Sequence, residues 1–191
     1  MQGAFFAASK CPARQRKPRY RGCVPPPRRL CPCHSTLRFT ACCEPFLSRR
    51  CLPSRPEELM RSRYAGFALG HADYLVETLA AGHPDLLQPR AEYTQSLAQM
   101  HSFRRFMGLR VHGEWVDGDA GEVLFVARLF EGGQNVGFAE LSSFIRADGR
   151  WGYARGTLIP LRELPSSELG DHTREGFLAE AHAREKDRPR G

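Results

Sequence analysis

The sequence predicts an α+β fold: helices packed on an antiparallel sheet, with a small cysteine-built module in front. Three patterns in the 191 residues carry that expectation. Apolar side chains recur at helical spacing from residue 56 to about 100. They then alternate from 106 to 159, where Gly-Gly and Asp-Gly pairs separate the runs. All seven cysteines lie within the first 51 residues, and four of them fall within thirteen positions. Helices first and hairpin-linked strands afterwards belong to separate layers of one domain.

Residues 1–29 are rich in Pro and Arg, contain no acidic residue and end on the stiff Pro25-Pro26-Pro27 run. Such a leader favours polyproline II and cannot build a core, so it is expected to be disordered. It also carries most of the net charge of +7, which attracts nucleic acid or other phosphate without specificity. An Arg-rich, acid-poor start resembles a transit peptide as well. A further reading starts the native chain near Val24 or Leu30. No stretch approaches the ~18–20 apolar residues of a membrane span. Ala4 to Ala8 is shorter than a secretory core and has no basic residue before it. The chain therefore reads as a cytoplasmic protein with no membrane partner.

Residues 30–50 hold the cysteine module, 51–160 the α+β domain and 161–191 a polar tail. Ser54-Arg55-Pro56-Glu57 is a capping-box pattern with Pro in the first turn. Leu59, Met60, Tyr64, Phe67 and Ala68 then share one helix face. Gly70 interrupts the run, a short helix follows over 73–79, and a third is expected over 91–100. Strands are expected at 106–115, 122–130, 136–146 and 150–159, with Asp148-Gly149 as a two-residue hairpin turn. Residues 171–186 suit a solvated helix with Glu180 and Arg184 paired, having little apolar surface to dock it.

Cys31, Cys33, Cys42 and Cys43 offer four thiolates at the spacing of a structural zinc site. Disulfides would be scattered through a secreted fold and are rare in a reducing compartment. Zinc accepts sulfur tetrahedrally at ~2.3 Å, and four thiolates leave it no open position for chemistry. So short a module cannot fold on its own apolar burial, so one zinc per chain must supply much of its stability, ~10 kcal/mol or more. The cone of charge left by four thiolates calls for basic neighbours, and Arg38, Arg49 and Arg50 are close in sequence. His34 is expected outside the shell, and Cys11, Cys23 and Cys51 are spare thiols.

The run Cys31-Pro32-Cys33-His34-Ser35 through Cys42-Cys43-Glu44-Pro45-Phe46 resembles the SEC-C zinc motif, known also at the end of the bacterial preprotein translocase ATPase. The stretch from Pro56 to Phe67, with its Met60-Arg61-Ser62-Arg63-Tyr64 core, resembles the YchJ-type family of bacterial proteins. Glu140-Leu141-Ser142-Ser143-Phe144 through Asp148-Gly149-Arg150-Trp151 fits the same family. The resemblance spans roughly residues 31–156. It implies a middle domain similar to nuclear transport factor 2, a cone of curved antiparallel sheet wrapped by helices. Three departures stand out: His34 and Thr36 replace two glycines of the motif, a second motif present at the end of some relatives is missing, and the basic leader is extra.

Within such a cone the candidates for chemistry are His71, Asp73, His101, His112 and Glu140. Glu140 shares a strand face with Ser142 and Phe144, so an inward carboxylate is expected. A structural role, bonded or ion-paired with Arg61 or Arg63, is favoured over a general base. Those two arginines cannot share a helix face, so at most one should point to the sheet. No nucleophile elbow, phosphate loop or His-Glu metal-hydrolase signature is present. Trp115, Phe125, Phe130, Phe138, Phe144, Trp151 and Tyr153 read mainly as core.

These features favour a zinc-stabilised binding or adaptor protein, with the zinc module docking a protein partner and the cone holding a ligand. A small-molecule enzyme using the cone is the first alternative. A nucleic-acid or ribosome-associated protein using the basic leader is the second.

Overall fold

The structure, a computed structural model, describes residues 29–164 and 173–187, so the leader, but for Arg29, lies outside it. Helix α1 (Glu44–Leu47) closes the cysteine module. Helices α2 (Pro56–Leu69), α3 (Ala72–Glu77) and α4 (Arg90–Phe103) follow. Strands β1 (Arg104–Asp117), β2 (Ala120–Glu131), β3 (Gln134–Asn135), β4 (Phe138–Ala147) and β5 (Arg150–Pro160) come next in the expected order. A 3-10 turn at Leu161–Glu163 leads toward helix α5 (Arg174–Asp187). No helix among the described residues is long and apolar enough to cross a membrane.

The sheet is an antiparallel meander in the order β1-β2-β4-β5, with short β3 folded onto the end of β2. The β4–β5 turn takes the predicted form: Asp148 and Gly149 both have positive φ, 51° and 74°, as a type I′ hairpin requires. Register irregularities in β1, at Phe106/Gly108 and Val111/Gly113, and between β4 and β5 at Ser143/Phe144, bend the sheet. The result is a curved, open sheet with helices α2 to α4 on the concave side.

Alternation sorts the two faces. Val123, Phe125, Ala127 and Leu129 of β2 join Phe144 of β4 in the core beneath α2. Leu124, Val126, Ala139, Leu141 and Ile159 point the other way and form a second cluster. That outer face is where the expected tail needs correction. Helix α5 forms, and Arg184 pairs with Glu180, but the helix is not solvated all round. Phe177, 1% exposed, caps the outer cluster, with Leu178 and Ala181 beside it. Arg174 reaches Glu122 on β2 at 2.6 Å. One aromatic residue supplies the docking that the polar composition concealed.

Helix α2 starts one residue later than the sequence pattern suggests. Arg55 is the N-cap, and the Ser54 amide and hydroxyl both donate to Glu58 Oε2, at 2.8 and 2.9 Å. The expected capping box is therefore replaced by a one-way pair of bonds from Ser54 to Glu58 rather than Glu57. Glu114 of β1 accepts from the Glu57 amide at 2.7 Å and pairs with Arg55, placing a carboxylate at the positive end of the helix. The Trp151 indole donates to the Ser54 carbonyl at 3.1 Å, so β5 holds the same end.

The cysteine module is not a separate body. Cys31, Cys33, Cys43 and Leu47 belong to one continuous core with Leu59, Tyr64, Phe125 and Trp151. A division at residue 50 follows the chain, while the packing runs straight across it.

Candidate metal centre and enclosed cavity

The module is built by local bonds. The Cys31 amide donates to the Leu37 carbonyl at 2.8 Å and the His34 amide to the Cys31 carbonyl at 3.1 Å. Leu30 and Arg38 pair as an antiparallel bridge, folding the chain back on itself. A 3-10 turn at Phe39–Ala41 then delivers Cys42 and Cys43 to the pair Cys31 and Cys33. All four Sγ atoms lie within 4.8 Å of one another. Cys33 and Cys42 are 3.5 Å apart and Cys42 and Cys43 3.8 Å. Four sulfurs around a tetrahedral ion at the usual metal–sulfur length would be separated by about 3.8 Å, so the donor set fits such a metal. Three of the four are buried, with only Cys42 partly open. Thiol donation from Cys31, Cys42 and Cys43 pushes Cys33 far below the usual thiol range, while the same crowding pushes Cys42 and Cys43 up. Four thiolates this close need a cation to ionise together.

The turn between the two cysteine pairs is strained. His34 and Thr36 have φ of 56° and 64°, the left-handed region, at the two positions where the motif carries glycine. The cysteine geometry is kept at that cost. The His34 ring stands edge-on to Tyr64, 6.2 Å between centroids. The Ser35 hydroxyl lies 3.1 Å from Cys42 Sγ.

The basic neighbour of the cluster is not one of those expected from sequence proximity. Arg49 pairs with Glu77, Arg50 pairs with Glu44, and Arg38 is exposed. Arg61 of α2 takes the role instead. Its Nη1 donates to the Cys33 carbonyl at 3.2 Å, while Nε is held by Glu57 at 2.7 Å.

Arg63 leaves the opposite side of α2, as the helical period requires, and is 8% exposed. Its Nη1 donates to the Leu75 carbonyl at 2.7 Å and to Thr78 Oγ1 at 2.6 Å. The guanidinium carbon stands 4.8 Å from the centroid of the Tyr153 ring. Arg63 and Glu140 both line a cavity of about 400 Å³ between α2, α4 and the concave face of the sheet. Glu140 does point inward, with Ser142 beside it, but no arginine among the described residues pairs with it. The Ser142 hydroxyl donates to Glu140 Oε1, and the Tyr153 hydroxyl donates to the same oxygen at 3.1 Å. Gly156, paired with Ser142 across β4 and β5, makes room: a Cβ there would collide with Glu140 Oε1 and lie 2.7 Å from the Tyr153 hydroxyl. Burial raises the Glu140 carboxyl above its ordinary range, against the opposing pull of the two hydroxyls and of Arg63.

Of the other candidates, His71, Asp73 and His101 are exposed, and His112 on β1 does not line the cavity. Sequence reasoning missed the polar groups at the mouth. Tyr93 of α4 donates to Asp85 at 2.6 Å, and burial pushes its phenol up to about 12. His83 accepts from the Asp85 amide at 3.1 Å, lies 5.6 Å from the Tyr153 ring, and is pushed down by burial. His83 and Asp85 come from an irregular stretch, where no period marks which side chains converge on Tyr93 of α4. The one available signal was the turn at Gly82-His83-Pro84, which brings the loop against β5. The Ala80 amide bonds the Tyr153 carbonyl there at 2.8 Å.

Two outcomes are expected of this geometry. Thr36→Gly, by relieving a left-handed β-branched residue, should stabilise the metal-loaded protein by about 1 kcal/mol in thermal unfolding. A lower melting temperature would contradict the strain. For Glu140 the folded carboxyl is raised, so the folded state holds the proton more tightly than the unfolded chain. Its contribution is fully present below the unfolded value, ~4.3, and is lost as pH rises through the folded value. Glu140→Gln should therefore melt higher than the parent at pH 8, with the gap closing toward pH 4. A parent more stable than the variant at pH 8 would instead indicate an ion pair with Arg63.

Comparison with known proteins agrees with the fold and the cysteine cluster. Residues 55–156 match the family model described as YchJ, middle NTF2-like domain. The UPF0225 protein YchJ of Shigella dysenteriae serotype 1 is 39% identical over 132 residues, covering 67% of this chain and 82% of that protein. The solution structure of a SEC-C motif containing protein from Rhodopseudomonas palustris aligns with a TM-score of 0.60 at 36% identity, over 67% of this chain and 97% of that one. A SEC-C motif containing protein from Psychrobacter arcticus aligns with a TM-score of 0.56 over 66% of this chain and 81% of that one. At 22% identity it speaks for the fold alone. By the domain match over residues 55–156 and the 39% identity to a YchJ protein, the chain belongs to the YchJ family.

Proposed function

We propose that the chain is a zinc-stabilised binding protein, in which Cys31, Cys33, Cys42 and Cys43 hold one structural zinc and the cone holds a ligand. The observation that carries this reading is the closed sulfur cluster, with four Sγ atoms within 4.8 Å and three of the cysteines buried. Four thiolates fill a tetrahedral shell, so the metal's work is to fold the module rather than to activate water. Sulfur-only donors favour zinc over the harder cations, which take oxygen. In this reading the metal braces α2 from outside, and the cavity on its other side is the ligand site. A protein partner is assigned to the outer surface of the module, where Leu30 and Leu37 are 62% and 54% exposed on either side of the fold-back.

The purified protein should contain one zinc per chain by elemental analysis. Cys42→Ser and Cys43→Ser should each lose it and become more sensitive to heat. Zinc content unchanged in both variants would overturn the ligand assignment.

A further inference from the structure

Two buried polar groups in the cavity have bonding capacity that the described residues do not meet. Arg63 uses Nη1 twice, on Leu75 and Thr78, but Nε and Nη2 make no hydrogen bond among the described residues. It also has no carboxylate within ion-pair distance there. Glu140 receives both of its bonds on Oε1, and Oε2 receives none among the described residues. Both residues are nearly inaccessible, at 8% and 9% exposure, and both line the same cavity. A buried guanidinium without a counter-charge is costly, and buried polar groups in folded proteins normally find partners. The remaining lining is mostly apolar, with Phe125, Leu129, Phe138 and Met100 among it. A volume of about 400 Å³ falls within the range of small-molecule pockets, ~300–1,000 Å³.

Resting on the reading of the cone as a ligand site, we propose that the cavity binds a small carboxylic acid with an aromatic or branched apolar body. Nε and Nη2 of Arg63 form a planar fork that matches the two oxygens of a carboxylate. The apolar body lies against the phenylalanines of β2 and β4. Glu140 favours a monoanion over a phosphate dianion. Both of its bonds fall on Oε1, so Oε2 faces the ligand. Burial raises this carboxyl, which makes Oε2 a better donor to a ligand acid than a free carboxyl would be. A second negative charge would meet no further cation among the described lining residues. Arg104, the other basic residue of the lining, is paired with Glu131 at 2.7 Å. Asp85 at the mouth adds negative charge and penalises a dianion further.

The test compares 2-naphthoate with its neutral isostere 2-naphthamide on the full chain carrying methyl-labelled methionine. Met60 and Met100 line the cavity, while Met107, 56% exposed and outside it, serves as an internal control. Naphthoate should shift the Met60 and Met100 methyl signals, leave Met107 unmoved, and bind about tenfold or more tightly than the amide. Arg63→Lys keeps the charge and the reach to Leu75 but loses the fork, so it should narrow that preference. Arg63→Met should abolish it. The comparison on the unaltered protein stands even if the Met variant fails to fold. Equal affinity for acid and amide, with both at the cavity methionines, would overturn the carboxylate assignment and leave the ligand site standing. Shifts confined to Met107, or none with either probe, would overturn both.

Discussion

Helix α2 is buried through its middle, and the rest of the structure depends on how the polar groups there are satisfied. Met60, Ser62, Arg63, Tyr64, Ala65 and Gly66 are all buried, and Glu57, Glu58 and Arg61 are half-buried. A helix with so little surface left for water cannot solvate its polar side chains freely, so each buried one needs a partner in the body it faces. Arg61 faces the cysteine module and bonds Cys33. Ser62 faces α3 and meets the Tyr74 hydroxyl at 2.7 Å. Arg63 reaches the end of α3 and the ring of Tyr153 on β5. Tyr64 bonds the Gly108 carbonyl of β1 at 3.1 Å. Four consecutive residues, Arg61 to Tyr64, thus address the module, the helical layer and both edge strands. A change at any of them disturbs a different contact, which is why no single apolar face describes this helix.

The cysteine cluster and the cavity meet through that helix. On one side the module is short and holds His34 and Thr36 in left-handed backbone, so a metal in its four-cysteine cluster would add stability that its own burial does not supply. On the other side the cavity relies on the placement of Arg63 and on the room that Gly156 leaves for Glu140 and Tyr153. Tyr64 joins the two, with His34 against its ring on the module side and Phe106 of β1 edge-on at 5.3 Å. The core runs without a break from Cys33 to Phe144. The arrangement of the four cysteines and the shape of the cavity are therefore parts of one packing problem.

Much of this was legible in the residues. The helical period gave α2 to α4, the alternating period gave the long strands, and Asp148-Gly149 marked its turn, because each is a local rule acting on neighbouring residues. The cysteine cluster was legible for the same reason: all four sit within one short fold-back. Glu140's inward direction followed from the pleat. What escaped was set by contacts between distant segments. Phe177, with Leu178 beside it, sits in a largely polar helix and becomes informative only once the outer face of the sheet is known to be bare. Arg61, eighteen residues beyond Cys43, displaced the arginines nearer in sequence. The cluster of His83, Asp85 and Tyr93 required the loop to lie against β5, which no periodicity encodes.

The central claim is that the sulfur cluster and the cavity are one cooperative unit joined by α2, and amide hydrogen exchange tests it most directly. Exchange would be followed residue by residue in the metal-loaded protein and after the metal is removed by a chelator. Loss of protection should extend through α2, from Leu59 to Gly66, and into the β1 and β5 amides that face it. Loss confined to residues 30–50, with α2 as protected as before, would contradict the account and make the module an independent appendage.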